Sequence, residues 1–223
     1  MIDVLHACDQ GFASHLVGNV FDLCMEAKAW SPGNRDANLI GLNKELEQWY
    51  RDEKIESNIK GKLTHGRITT PNTWPKLKAK AAATRHVVRF ALALARKHCE
   101  RRVVALCQLL CEFNQAMDAQ GMFFDNDTKA RLPDLGRHMC GLYAQMAAES
   151  LVAGTKRWKM VPKVHLVQHL LEWQSLSAGS PRFYWTYADE DLVGSMIEVA
   201  ESCHSSTLAI TVMVKWLVFS FDP

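Results

Sequence analysis

Residues 163–173 read KVHLVQHLLEW; after a polar Ser/Gly/Pro break, residues 181–201 read PRFYWTYADEDLVGSMIEVAE. Two histidines stand four apart, His165 and His169. An aromatic cluster, Phe183, Tyr184, Trp185 and Tyr187, precedes three consecutive acids, Asp189, Glu190 and Asp191. On a helix, positions i and i+4 share a face, so the two imidazoles project together, and that spacing can hold one metal ion. No Glu follows His165, which excludes the H-E-x-x-H metalloprotease pattern. Aromatic enrichment makes 183–187 a candidate short strand. Leu192, Val193, Met196, Ile197 and Ala200 then recur at helical spacing, which predicts a helix over 189–203. Acids in a first helical turn suit the positive end of the dipole, and that alone accounts for Asp189, Glu190 and Asp191.

Working outward, the N-terminal residues 1–24 place Val4, Leu5, Phe12, Leu16, Val20 and Leu23 at helix-like intervals. The pattern starts abruptly, with no cap before it. Ser31, Pro32, Gly33 and Asn34 form a break. Residues 36–58 carry Leu39, Leu42, Leu46, Trp49 and Tyr50 as a helical stripe. Residues 61–75 read as loop. The longest periodic stretch, 76–117, is expected to be helical throughout. Between 76 and 102 it holds nine Lys/Arg against one acid, Glu100. On one helix, Lys78, Arg85, Arg89 and Arg96 share a side, a candidate phosphate-contacting face; charge alone fits a solvated face better. Residues 121–133 read as a second break, and DNDTKARLPD (125–134) lacks the Gly and terminal Glu of a calcium loop. A helix over 135–152 follows. Two helical segments, 156–173 and 207–219, complete the reading; Thr and Val in the second leave a strand open there.

A chain of 223 residues can bury a sizeable core, and its 48% hydrophobic content excludes global disorder. The net charge of +2 is too small to imply a nucleic-acid partner, so any basic signal must be local. Seven cysteines without a CxxC pair point to reduced, mostly buried thiols and an intracellular location. No signal peptide and no transmembrane run is expected.

Three landmarks carry a family resemblance. Asp3-Val-Leu-His6, with DQGFASHLVGNVF after it, resembles the D-x-x-H motif of cut-and-paste DNA transposases of the CACTA type and their KDZ-like relatives. Lys163-Val-His165-Leu-Val-Gln-His169-Leu resembles their K-x-H-x-x-x-H-L segment. Trp185-Thr-Tyr187-Ala-Asp-Glu190 resembles their W-x-Y-x-x-E segment, which carries the last acid of a DDE triad. The order agrees, as does the gap of 21 residues from His169 to Glu190.

The resemblance implies a mainly α chain: a core segment over 1–20, a helical insertion over 21–160, and a C-terminal remnant of an RNase H-like α/β catalytic core over 161–223. It implies Mg²⁺ or Mn²⁺ chemistry at phosphodiesters, with Glu190 as the third metal-holding carboxylate. His6, His165 and His169, with Asp3, are the candidate ligands of a tetrahedral Zn²⁺ site; a metal-free polar cluster is the competing arrangement. The family's two upstream Asp have no counterpart in their usual places. The chain is therefore expected to be a fragment or degenerate copy, not cutting DNA alone, with DNA, itself or a missing upstream core as partner. A eukaryotic relative would be nuclear. The alternatives are a helical protein-binding module and a simple DNA-binding module.

Overall fold

A computed structural model describes residues 1–69, 72–204 and 206–221, without the side chains of 188–191, 216–217 and 219–221. It is mainly helical, and no strand occurs among the described residues. Two compact units result, residues 1–185 and 186–223.

The first unit is built around α1, which begins as a π-helix over Leu5–Ala13 and continues as an α-helix over Ser14–Glu26. Of residues 4–25, only His6, Gln10 and Leu23 are not buried. The helix lies inside the unit on nearly every side, and Asp9, Ser14, His15, Asn19 and Asp22 are buried with its apolar residues. The cap missing from the sequence reading is Asp3. Its carboxylate accepts from the backbone N–H of Leu5 (3.3 Å) and His6 (3.1 Å), which serves the orphan donors of the first turn.

Helices α2 (Arg35–Asp52), α3 (His65–Ile68) and α4 (Ala81–His98) pack on α1. Helix α5 (Arg101–Ala119) folds back on α4, and α6 (Asn126–Val152) packs on α5. Helix α7 (Pro162–His169) runs into a π turn (Leu170–Gln174) and lies between α1 and α6. Phe12, Tyr143 and Trp158 stack in series at ring distances of 5.1 and 5.9 Å, tying α1 to α6 and to the turn before α7.

Three expectations are corrected. Residues 76–117 are not one helix: 76–80 lie outside any helix, and α4 and α5 separate at Cys99 and Glu100, both extended. Arg96, Lys97 and His98 close α4, where cations suit the negative end of the dipole. Helix α6 starts at Asn126, not at 135, because Asp125 accepts from the Thr128 N–H (2.7 Å) and caps it; Pro133 is carried inside at the loss of one backbone bond. The aromatic run is no strand. Pro181–Phe183 form one 3-10 turn, and α8 begins at Tyr187. A single aromatic segment with no second strand to pair with gains nothing from extension. The second unit contains α8 (Tyr187–Glu201) and α9 (Leu208–Phe221), so 207–219 is helix.

Residues 76 and 77 cross α1 at Gly18. A Cβ there would meet the Lys76 Cα and N at 2.6 Å, both backbone atoms. Gly18→Ala should therefore destabilise by about 1–3 kcal/mol, as overpacking does. Gly141, exposed on α6 with nothing within 4 Å of an added Cβ, is the opposite case: Gly141→Ala should stabilise by about 0.5–1 kcal/mol. Urea melts of the two variants should move in opposite directions.

Candidate functional site

Helix α7 buries Val164, Val167, Leu170 and Leu171 and turns its histidines outward. The Nε2 atoms of His165 and His169 lie 2.6 Å apart, one donating to the other. Trp173 extends the same row, its ring 4.1 Å from that of His169 and 62% exposed. The i, i+4, i+8 spacing in the sequence produces this ladder directly.

The start of α1 is bound to the far end of the α7 segment. Gln174 accepts from the Ile2 N–H (2.5 Å) and donates to the Ile2 carbonyl (2.7 Å). At the other end, the stem of Lys163 lies on Gly11, where any Cβ would meet Lys163 Cδ at 2.7 Å. The D-x-x-H and K-x-H-x-x-x-H segments thus lie on helices packed side by side. Within them the polar groups form two pairs. The His6 Nδ1 donates to Asp3 Oδ2 (2.5 Å), and His165 bonds His169. Among the described residues, no group of three or more His, Cys, Asp or Glu side chains is placed to hold one metal ion.

The candidate DNA-contacting residues do not share a helix face. Lys78 lies on the irregular segment before α4, exposed, its N–H bonded to the Arg67 carbonyl (2.8 Å). Arg85 is 8% exposed. Its guanidinium donates to Asn114 Oδ1 and the Asn114 carbonyl (each 3.3 Å) and to Asp118 (2.9 Å), and it lies 5.3 Å from the Trp185 ring centroid. The guanidinium thus clamps α4, α5 and the end of the first unit together. Arg89 and Arg96 are exposed on α4, and Arg89 pairs with Glu53 (2.7 Å). An exposed pair of this kind exchanges easily for another anion.

The acids Asp189, Glu190 and Asp191 fall in the first turns of α8. Their side chains, including the proposed third carboxylate Glu190, lie outside the described residues.

Several groups escaped the sequence reading. Asp9 is fully buried on α1. His15, on the same helix, donates from Nδ1 to the Pro75 carbonyl (3.2 Å) and is pushed down to about 4, mainly by burial. The signal for both was the all-round burial of α1, which the helix-like intervals alone did not reveal. No helix of the described residues is long and apolar enough to cross a membrane.

No protein-family model matches this sequence, and neither a characterised protein nor a solved structure matches it.

Two outcomes separate the roles. Arg85→Glu should cost about 3 kcal/mol or more, because it puts a carboxylate where a buried cation met Asp118. Arg89→Glu should cost under about 1 kcal/mol. Equal urea midpoints for the two would overturn the clamp. In a Co²⁺ titration, absorption arising from the His165–His169 pair should vanish in His169→Ala and persist in His6→Ala. Equal loss in both would mean that the two pairs converge on one ion.

Proposed function

We propose that the chain is a portion of a DDE-type DNA transposase, or a derivative of one, and that metal-dependent strand cleavage and transfer belongs to the larger assembly. One observation carries the reading. The Asp3–His6 and Lys163–His169 segments, far apart in sequence, lie on neighbouring helices, with Ile2 and Gln174 bonded reciprocally. That is the juxtaposition the resemblance requires if helices 21–160 interrupt a core to which both ends belong. The RNase H-like sheet would then come from outside these 223 residues. Glu190 would supply the third carboxylate.

One carboxylate does not hold the two-metal site this chemistry uses, so Mg²⁺ or Mn²⁺ binding requires the other two acids. Among the exposed arginines, Arg89 and Arg96 would serve DNA phosphates. Zinc at the histidines would need a third and fourth ligand.

A second reading has its own support. In the second unit, Val193, Ile197, Ile210, Met213 and Val218 are all more than half exposed. Apolar side chains in that density fit a helical protein-binding module.

Supplying an Asp-bearing upstream core, in cis or as a separate chain, should give Mg²⁺-dependent DNA cleavage. Glu190→Gln should abolish it, while Asp189→Asn and Asp191→Asn should leave it close to wild type. Normal cleavage by all three variants would end the assignment of this helix. No cleavage with any upstream core, together with a protein captured through α8 and α9, would favour the second reading.

A further inference from the structure

Four lysines converge beside α1. Lys76 and Lys78 stand on the irregular segment that crosses it, Lys159 in the turn before α7, and Lys163 in the first turn of α7. Lys76, Lys78 and Lys159 line a cleft of about 340 Å³ together with His15 and Trp74. Among the described residues, no acidic side chain lines it.

The backbones that carry these lysines are fixed. The Lys76 N–H donates to the Ile68 carbonyl (2.7 Å), and its Cα lies over Gly18. The Lys159 carbonyl accepts from the Tyr143 hydroxyl (3.0 Å). Lys163 rests on Gly11. The cleft is therefore built by packing, and only the ammonium ends need move.

As it stands, the electrostatics are unfavourable. Partial burial, then the charges of Lys163, Lys159 and Lys78, hold Lys76 below the ordinary lysine range. Burial chiefly, then Lys76, Lys159 and Lys163, keep the His15 imidazole neutral against the pull of its Pro75 bond. Lys163 occupies a first helical turn without an acid, where the dipole opposes a cation. Trp158, just before Lys159, has φ 54°, uncommon for a bulky residue. Like charges and a left-handed Trp both cost free energy. An anion in the cleft would recover the electrostatic part.

We infer that this cleft binds the phosphates of a polyphosphorylated ligand, either a free di- or triphosphate or successive phosphates of a nucleic-acid strand. Several ammonium groups around one opening match several negative charges, and lysine acts on phosphate as a point charge. Trp74 and Lys159 also border an adjoining hollow of about 430 Å³ lined by Trp158, Met160 and Leu151. An apolar group attached to the phosphates has a place there. The inference does not rest on the transposase reading: the three lysines that line the cleft belong to none of its motifs, and only Lys163, beside them, does.

Titration with pyrophosphate, followed by calorimetry and by the His15 proton resonances, is the test. Saturable binding at low salt is expected, with the His15 titration moving upward as the anion offsets the lysine charges around it. Lys76→Gln/Lys159→Gln should bind about tenfold more weakly or worse, since each charge-assisted bond is strong. Arg131→Gln/Arg137→Gln, exposed on α6 and outside the lining of the cleft, should bind as wild type does. Circular dichroism verifies the fold, and Lys78→Gln, an exposed change, repeats the test should the double variant unfold. A 5′-phosphorylated single-stranded oligonucleotide that competes with pyrophosphate assigns the site to strand phosphates; a nucleoside triphosphate that competes alone assigns it to a free ligand. No saturable pyrophosphate binding, unmoved His15 resonances, or equal weakening in the arginine variant would overturn the inference.

Discussion

Almost the whole circumference of α1 is out of water, and much of the first unit is arranged to satisfy what that burial demands. A buried helix can carry polar side chains only where each finds a partner. On α1 these partners are the helix's own carbonyls and other segments of the chain. Ser14 turns its hydroxyl back to the carbonyls of Gln10 (2.8 Å) and Gly11 (2.9 Å). The Ser14 carbonyl receives the Leu77 N–H (2.8 Å), and His15 takes the Pro75 carbonyl. Asn19 donates to the His15 carbonyl (2.7 Å) and accepts from the Trp158 N–H (3.1 Å). The two irregular segments that cross α1 are thereby held by buried hydrogen bonds rather than by their own secondary structure. Gly18 supplies the close approach that the Leu77 bond requires.

The helical character of the chain was legible because its apolar residues recur at helical intervals from end to end. Boundaries were harder, and each error has a local cause. Apolar spacing continues across Cys99 and Glu100, so periodicity joins α4 to α5; the run RKHCERR held the opposite signal, cations ending one helix before an acid begins the next. Pro133 read as a breaker, whereas the cap at Asp125 decides where α6 starts. Aromatic residues at 183–187 have strand propensity, but propensity expresses packing on a sheet, and the described residues contain none.

Of the candidate site, the sequence showed the pairings and not the assemblies. Spacing of three and four residues brings Asp3 to His6 and His165 to His169 on any helix. It cannot say whether two such pairs meet, because that depends on the rotation of each helix about its axis. Here that rotation is set by apolar packing: Val164 and Val167 of α7 and Leu5 and Cys8 of α1 are buried, and the histidines take the sides left over. Asp3 illustrates a further ambiguity. A carboxylate that caps a helix and one that could hold a metal have the same place in a motif, and only its bonds to Leu5 and His6 show the first role.

Charge was the least legible property, because counting cations does not reveal which are already neutralised. The stretch 76–102 is the most basic by sequence. In the fold, Arg85 meets Asp118, Arg89 meets Glu53, Lys97 meets Glu45 (2.7 Å), and Arg102 meets Glu149 (2.6 Å). Acids from α2, α5 and α6, and Glu53 just past the end of α2, thus offset much of the basic excess of α4 and the start of α5. Two further lysines, Lys78 and Lys159, gather with Lys76 at a cleft where no described acid stands. A field acting on a distant anion depends on the uncompensated charges, not the total. By that measure the lysines of this cleft matter more than the larger count of cations on α4, and they stand on the segments that cross α1 and are held there by its burial.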